Sequence, residues 1–460
     1  VGNGEAGGVR RHGHGRIPGA VYVRVLAAGT AVLTASAATA AGADTDGVTS
    51  LISVGRSGHP GAGQSYAPAV SANGRFVAFD SDAPDLVADK HNGRNDVYVR
   101  DRWTGSTTRV STDSEGREGD GGSFTPSISG DGRYVAFVSD ADNLVPGDTN
   151  KAADVFLKDR QTGRTIRLSV ALDGRETTGG SSPRISRDSR FVVYNVGTPL
   201  RSVGTDEDLA GMFVYDIATG RRERLGRLEG DDPSISADGR YVVFSSEIRD
   251  LVPGDTNRKA DCFLFDRRTR MVSRVSLGGT QPLGGGWYRG SVQGNNESTG
   301  AVISADGRYV AFVSSASNLV PGDTNKVDDV FVRDLHTGAT KRISVNARGE
   351  QANGTSGGPT LSGDGQTVVF LSEAGNLVPG NPGGHGYDVY RVRLGDRRSI
   401  GQVNVGRAGV RADGPTSSFP ELSADGTVVV FSSRATNLIG VDTGGHDNVY
   451  ARVYPTPRRH

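Results

Sequence analysis

Three sets of residues in this 460-residue chain have types and spacings that could do chemistry. The first is a recurring run, [Asn/Asp]-Leu-Val-Pro-Gly-Asp-Thr-Asn-x-x-x-Asp, at 143–154, 250–261 and 318–329. Each copy offers hard oxygen donors: Asp148, Asn150 and Asp154, then Asp255, Asn257 and Asp261, then Asp323, Asn325 and Asp329. Calcium takes about six to eight oxygens, and these runs lack the central glycine and bidentate glutamate of an EF-hand. Calcium is a candidate cofactor here; the alternative is that the Asx side chains bond the backbone and shape the turn. The second set is His91, His385 and His446, in Gly- or Asn-rich stretches. Three imidazoles brought together could bind a divalent transition metal. The third is Trp287-Tyr288-Arg289, which follows three glycines. An aromatic pair beside a guanidinium suits stacking on a sugar or gripping a peptide. The alternative is that Trp287 plugs a channel mouth or packs on a sheet.

No catalytic residue is singled out. The one G-x-S-x-G string, Gly354-Thr355-Ser356-Gly357-Gly358, has no helical period after it to make a nucleophile elbow, and the chain has no P-loop and no H-E-x-x-H. Cys262 is the only cysteine, so no intrachain disulfide can form, and it reads as an apolar core filler.

These residues are set on a repeat. The frame Ser304-Ala305-Asp306-Gly307-Arg308-Tyr309-Val310-Ala311-Phe312 recurs from Ser71, Ser129, Ser186, Ser236, Ser362 and Ser423, at intervals between 50 and 68 residues. One unit holds four short runs rich in Val, Ile, Phe, Tyr and Thr: Ala301–Ile303, Tyr309–Val313, Asp329–Arg333 and Thr340–Val345. Asp306-Gly307 reads as a two-residue hairpin turn with both central residues left-handed. Four antiparallel strands per repeat indicate a propeller blade. No stretch sustains a 3.6-residue apolar period, so helices should be few. The expected fold is all-β, a seven-bladed β-propeller with blades starting near 68, 126, 183, 233, 301, 359 and 420. The seventh unit stops after its third strand. The segment at about 49–55 matches the fourth-strand pattern Lys341-Arg342-Ile343-Ser344-Val345 and is expected to complete that last blade.

The frame S-x-D-G-R-Y-V-A-F, followed by D-V-F-V-x-D and T-G-x-T, resembles the TolB-type, WD-repeat-like β-propeller repeat of bacterial envelope and secreted proteins. The resemblance covers roughly 49–454, with no stretch matching the separate N-terminal domain of TolB itself. It implies the fold strongly and the function weakly, because propellers host unrelated activities.

Residues 1–43 read as a signal peptide or disordered leader: Arg10, Arg11, Arg16 and Arg24, then an apolar run, then small residues. The propeller is expected over 44–454 and a tail over 455–460. Fifty-two basic side chains balance 52 acidic ones, which excludes an overall basic footprint for nucleic acid. Short turns fall on one face of the ring and long loops on the other, and the long-loop face is the expected working surface. The leading expectation is an exported, monomeric, non-enzymatic propeller. It would bind a protein or glycan of the cell envelope, outside the cell or in the periplasm, with no membrane span in the mature chain. The alternatives are a metal-assisted polysaccharide lyase or hydrolase at the same face, and a calcium-stiffened structural module.

Overall fold

The computed structural model describes residues 47–455 apart from 198–209, 227, 385 and 396–398. Seven antiparallel blades follow one another along the chain, each built on four strands; in blades 1 to 6 those four form a meander in sequence order. The first strands of blades 1 to 6 are Ser65–Val70, Ser123–Ile128, Gly180–Ile185, Asp231–Ile235, Ser298–Ile303 and Ser356–Leu361; that of blade 7 is the short Glu421–Leu422. These first strands touch their neighbours in turn around a complete circle, blade 7 meeting blade 1. The fold is therefore a closed seven-bladed propeller with the first strands innermost. Among the described residues, the one helical segment is a single 3-10 turn at Arg407–Gly409.

The last blade is closed by the beginning of the described chain. Val48–Leu51 lies antiparallel on Asn448–Val453, with Val48 opposite Val453 and Leu51 opposite Tyr450. The residues that follow copy the fourth strand of the other blades. In blades 1 and 4, Ser111 and Ser276 each donate to the Asp that opens the third strand, Asp96 and Asp261, at 2.7 Å. Ser53 does the same to Asn448 at 2.8 Å and accepts from the Val449 amide at 3.1 Å.

Each blade holds one aromatic pair, contributed by directly opposed residues of its second and third strands. Phe137–Phe156 and Phe312–Phe331 are examples, with ring centroids 5.9 and 5.8 Å apart. Such a pair adds about 0.5–1.5 kcal/mol beyond its burial. Repeated in all seven blades, it explains why the V-A-F and D-V-F runs recur.

The turn between first and second strands differs from the expected two-residue hairpin. Five residues, 304–308, separate the strands, and only Gly307 is left-handed (φ 72°). Ser304 Oγ donates to Asp306 and accepts from the Tyr309 amide at 2.9 Å, and Asp306 accepts from the Arg308 amide at 3.0 Å. Side chains bonding the loop's own backbone thus favour a wider turn. The glycine also meets a steric demand. At Gly132 (φ 75°) a Cβ would lie 2.1 Å from the ring of Phe76 in the preceding blade.

Candidate functional site

The innermost strands line a narrow central channel. Ala69, Ser127, Arg184, Ser234, Val302, Thr360 and Glu421, one from each blade, face a cavity of about 90 Å³. Arg184 of blade 3 reaches Glu421 of blade 7 at 3.4 Å, spanning it. In the first strands of blades 1 to 6 a bulge precedes the lining residue. Ala67, Thr125, Ser182, Asp232, Gly300 and Gly358 are left-handed there. A bulge re-aims the neighbouring side chains toward the channel rim.

The short-turn end of the channel is drawn together. Backbone bonds link the turns of adjacent blades: Ala72 to Gly130, Ala237 to Ala305, Asp306 to Gly363, Gly363 to Ala424, and Ala424 to Ala72. The Asp131 amide donates to Ser189 Oγ at 3.1 Å, joining blades 2 and 3. Among the described residues, only the junction of blades 3 and 4 has no such bond. Arg187 crosses from blade 3 to the Leu422 carbonyl of blade 7 at 2.7 Å.

The long-loop end carries acid. The residue just after the second strand is Asp82, Asp140, Glu247 and Glu373 in blades 1, 2, 4 and 6, and each is exposed. Asp231, Asp232, Glu297 and Asp328 stand nearby. Like charge accompanies burial in raising several pKa values here. Burial, then Glu247, raises Asp231, and burial, then Glu297, raises Asp328. Asp80 is 3 % exposed, and burial pushes its carboxyl up to about 7. Blade 7 breaks the pattern with Arg434, which donates to Asp447 at 2.8 Å. The Tyr66 hydroxyl donates to the same carboxylate at 3.2 Å, and burial followed by Asp447 pushes it up to about 12. The sequence reading missed this collar. Its signal was present: an acidic residue recurs one position after the second strand.

The candidate calcium loops hold a guanidinium. Arg167, from the fourth strand of blade 2, lies 2.6 Å from Asp148 and 3.4 Å from Asp154. Arg274 lies 3.3 Å from both Asp255 and Asp261, and Arg342 lies 3.1 and 3.3 Å from Asp323 and Asp329. Asn150 and Asn325 donate to Asp154 and Asp329 at 2.7 and 2.9 Å, and Asn257 to Asp261 at 3.3 Å. Burial pushes Asp148 and Asp323 up to about 6. A fixed organic cation thus stands among the donors that calcium would use, and the Asx side chains cap their own loops.

The histidines find separate partners. The His91 amide is held by Glu118 at 3.0 Å, and its ring is exposed. His446 Nδ1 lies 3.3 Å from Gln64 Nε2. His385 lies outside the described residues, as does most of the 198–211 stretch, where the sequence loses the Pro-Gly-Asp-Thr-Asn run. Among the described residues no group of three His, Cys, Asp or Glu side chains could hold a metal ion.

Trp287, Tyr288 and Arg289 sit at the outer edge of blade 5, away from the channel mouth, so of the two alternative placements for Trp287 the structure has the one packed on a sheet. Trp287–Arg289 pairs with Gln281–Gly284 as a hairpin and adds to Ala339–Arg342, the outermost strand of blade 5, so that sheet has six strands. The long inter-blade segment has enough length to fold back and satisfy that edge. Trp287 is half-buried toward blade 6, 6.4 Å from the Tyr309 ring and 5.9 Å from Lys341 Nζ. Tyr288 packs on the side toward blade 4, and Arg289 donates to the Thr337 carbonyl at 3.0 Å. Trp103 is 68 % exposed with Arg75 4.6 Å over its ring. Cys262 is fully buried.

No protein-family model and no curated protein matches the chain. Solved structures do match it. An oligogalacturonate lyase in complex with manganese is 13% identical, with 90% of this chain and 98% of that one covered at a TM-score of 0.50. The β-propeller domain of the Trilobed protease from Pyrococcus furiosus is 11% identical, over 85% and 95%, at 0.49. TolB from Acinetobacter baumannii is 14% identical, over 83% and 81%, at 0.39. At these identities the likeness is one of fold.

Proposed function

We propose that this is an exported binding propeller whose contact surface is the acidic mouth of the channel on the long-loop face, and that its partner is a basic protein segment. One observation carries the reading. The short-turn end is laced together by turn-to-turn bonds, whereas the long-loop end presents Asp82, Asp140, Glu247 and Glu373 at one repeat position, all exposed. A ring of like charge on a rigid scaffold focuses its field outward and steers a cationic partner. The neighbouring blade strands hold these groups in place, so little ordering is needed on binding. Among the described residues no helix is long and apolar enough to cross a membrane, which is compatible with an exported chain. A glycan partner is the second form of this reading, with Tyr66 at the mouth as its stacking ring.

The metal-assisted lyase is less well supported. It needs His91, His385 and His446 to converge, whereas the His91 ring is exposed on the loop held by Glu118 and the His446 ring lies against Gln64.

The test is a fluorescence-anisotropy titration with a labelled oligolysine peptide. The proteins are the wild type and Asp82→Asn/Asp140→Asn/Glu247→Gln/Glu373→Gln. The wild type should bind, weaken steeply with added salt, and lose at least about tenfold in the variant. Binding that is equal in both proteins, or independent of salt, overturns the acidic-mouth reading. Capture of neutral oligosaccharides by both proteins would favour the glycan form.

A further inference from the structure

The seam between blades 3 and 4 departs from the others, and the departure makes a site. The face of blade 3 that looks at blade 4 carries Val214 and Asp216 on its third strand, opposite Glu223 and Arg221 on its fourth. Arg267 of blade 4 reaches over them. Together these five residues line a hollow of about 320 Å³. At the seam of blades 2 and 3 the positions of Glu223 and Arg267 are held by Ile166 and Ile217, which pack into that seam's apolar cluster. At the seam of blades 5 and 6 they are Lys341 and Leu394, with Trp287 beside them. Only here, among the described residues, do both positions carry paired charges. Among the described residues this seam also has no turn-to-turn bond of either kind, backbone or side-chain.

The charges in the hollow do not cancel. Both carboxylates are spent on internal partners. Glu223 takes Arg267 on one oxygen and Arg270 on the other, each at 2.6 Å. Asp216 takes Arg190 at 3.0 Å, and the turn amides of Ala218 and Thr219 at 3.0 and 3.3 Å. Arg221 is exposed, and its guanidinium donates no hydrogen bond among the described residues. A forked donor left free beside three further arginines is suited to a planar or tetrahedral oxyanion. The apolar side chain of Val214 lines the same hollow. We propose that this hollow binds a small oxyanion, a carboxylate or a phosphate group, on Arg221. The site lies at the short-turn side of the ring, away from the acidic mouth, so it stands or falls independently of the reading above.

The test is isothermal titration of the full chain with inorganic phosphate and, separately, with acetate, at ionic strength held constant with chloride. The proteins are wild type, Arg221→Gln and Arg164→Gln. Arg164 is the exposed arginine at the corresponding position of blade 2, where isoleucines fill the seam. Saturable binding is expected in the wild type and in Arg164→Gln, with at least about a tenfold loss in Arg221→Gln. Preference for phosphate over acetate identifies a phosphoryl ligand, and the reverse a carboxylate. No saturable heat with either anion, or equal losses in the two variants, overturns the proposal.

Discussion

Ring closure rests on a bond between residues 395 positions apart, and it can be measured. Ser53 is fully buried, donates to Asn448 Oδ1 at 2.8 Å and accepts from the Val449 amide at 3.1 Å. Ser53→Ala removes both bonds. At about 0.5–1.5 kcal/mol net for each, the expected loss is about 1–3 kcal/mol. Asn448 also donates to the Thr443 and His446 carbonyls at 3.3 and 3.1 Å, so Asn448→Ala should cost more. The informative quantity is the double mutant. Once Asn448 is gone, removing Ser53 strands no acceptor, so the two losses should fall short of additivity by about 1 kcal/mol. The assay is urea unfolding followed by tryptophan fluorescence and far-UV circular dichroism, with the two transitions required to coincide. Ser344→Ala in blade 5 is the reference, because Ser344 makes the equivalent bonds to Asp329 and the Val330 amide within one continuous stretch of chain. Losses that add within about 0.3 kcal/mol would mean that the two ends do not meet as described. So would a Ser53→Ala effect near zero beside a clear Ser344→Ala effect.

Gly132→Ala should lower stability by more than Gly147→Ala. Both positions are left-handed, at 75° and 77°, but a Cβ meets Phe76 at the first and nothing within 4 Å at the second. The left-handed cost of about 1–2 kcal/mol is common to both, and the excess in melting temperature reports the inter-blade contact. Asp80 has a folded carboxyl pKa raised to about 7, above the unfolded value, so its penalty is absent below about pH 4 and fully present above pH 7. Asp80→Asn should therefore raise the melting temperature at pH 8 and change it little at pH 4; an equal gain at both would refute the assignment. Arg167→Ala should destabilise by about 3–5 kcal/mol, since it leaves Asp148 and Asp154 buried without their cation. Added calcium should restore part of that loss in the variant and leave the wild-type melting temperature unchanged. Burial raises the Cys262 thiol, so a disulfide reagent should label it only at the rate of unfolding.

What the sequence made legible follows from what repetition can encode. The strands, their order and the aromatic pairs depend on nearest neighbours that recur in every unit, so seven copies state them seven times. Closure was readable because Ile52-Ser53-Val54 repeats Ile343-Ser344-Val345, and the same serine bond appears at both. The pairing strand itself runs Val48–Leu51, with the copied motif just after it, because the serine bonds the strand's neighbour where the chain turns away. The loop donors left two readings open for a related reason. Asp148, Asn150 and Asp154 are close in sequence and look like a ligand set, but the cation among them, Arg167, comes from the next strand and is invisible to a local motif. The placement of Trp287 stayed open in the sequence because a long, glycine-rich segment can end anywhere; backbone pairing of its neighbours Tyr288 and Arg289 with Thr340 and Ala339 fixes it to the outer edge. The acidic collar and the blade 3–4 hollow were legible only by comparing units position by position. Both are departures from the repeat: Arg434 among acids, and Glu223 paired with Arg267 where the preceding seam has Ile166 and Ile217. In a propeller the shared residues build the ring, so a ligand is distinguished by the residues that one blade does not share.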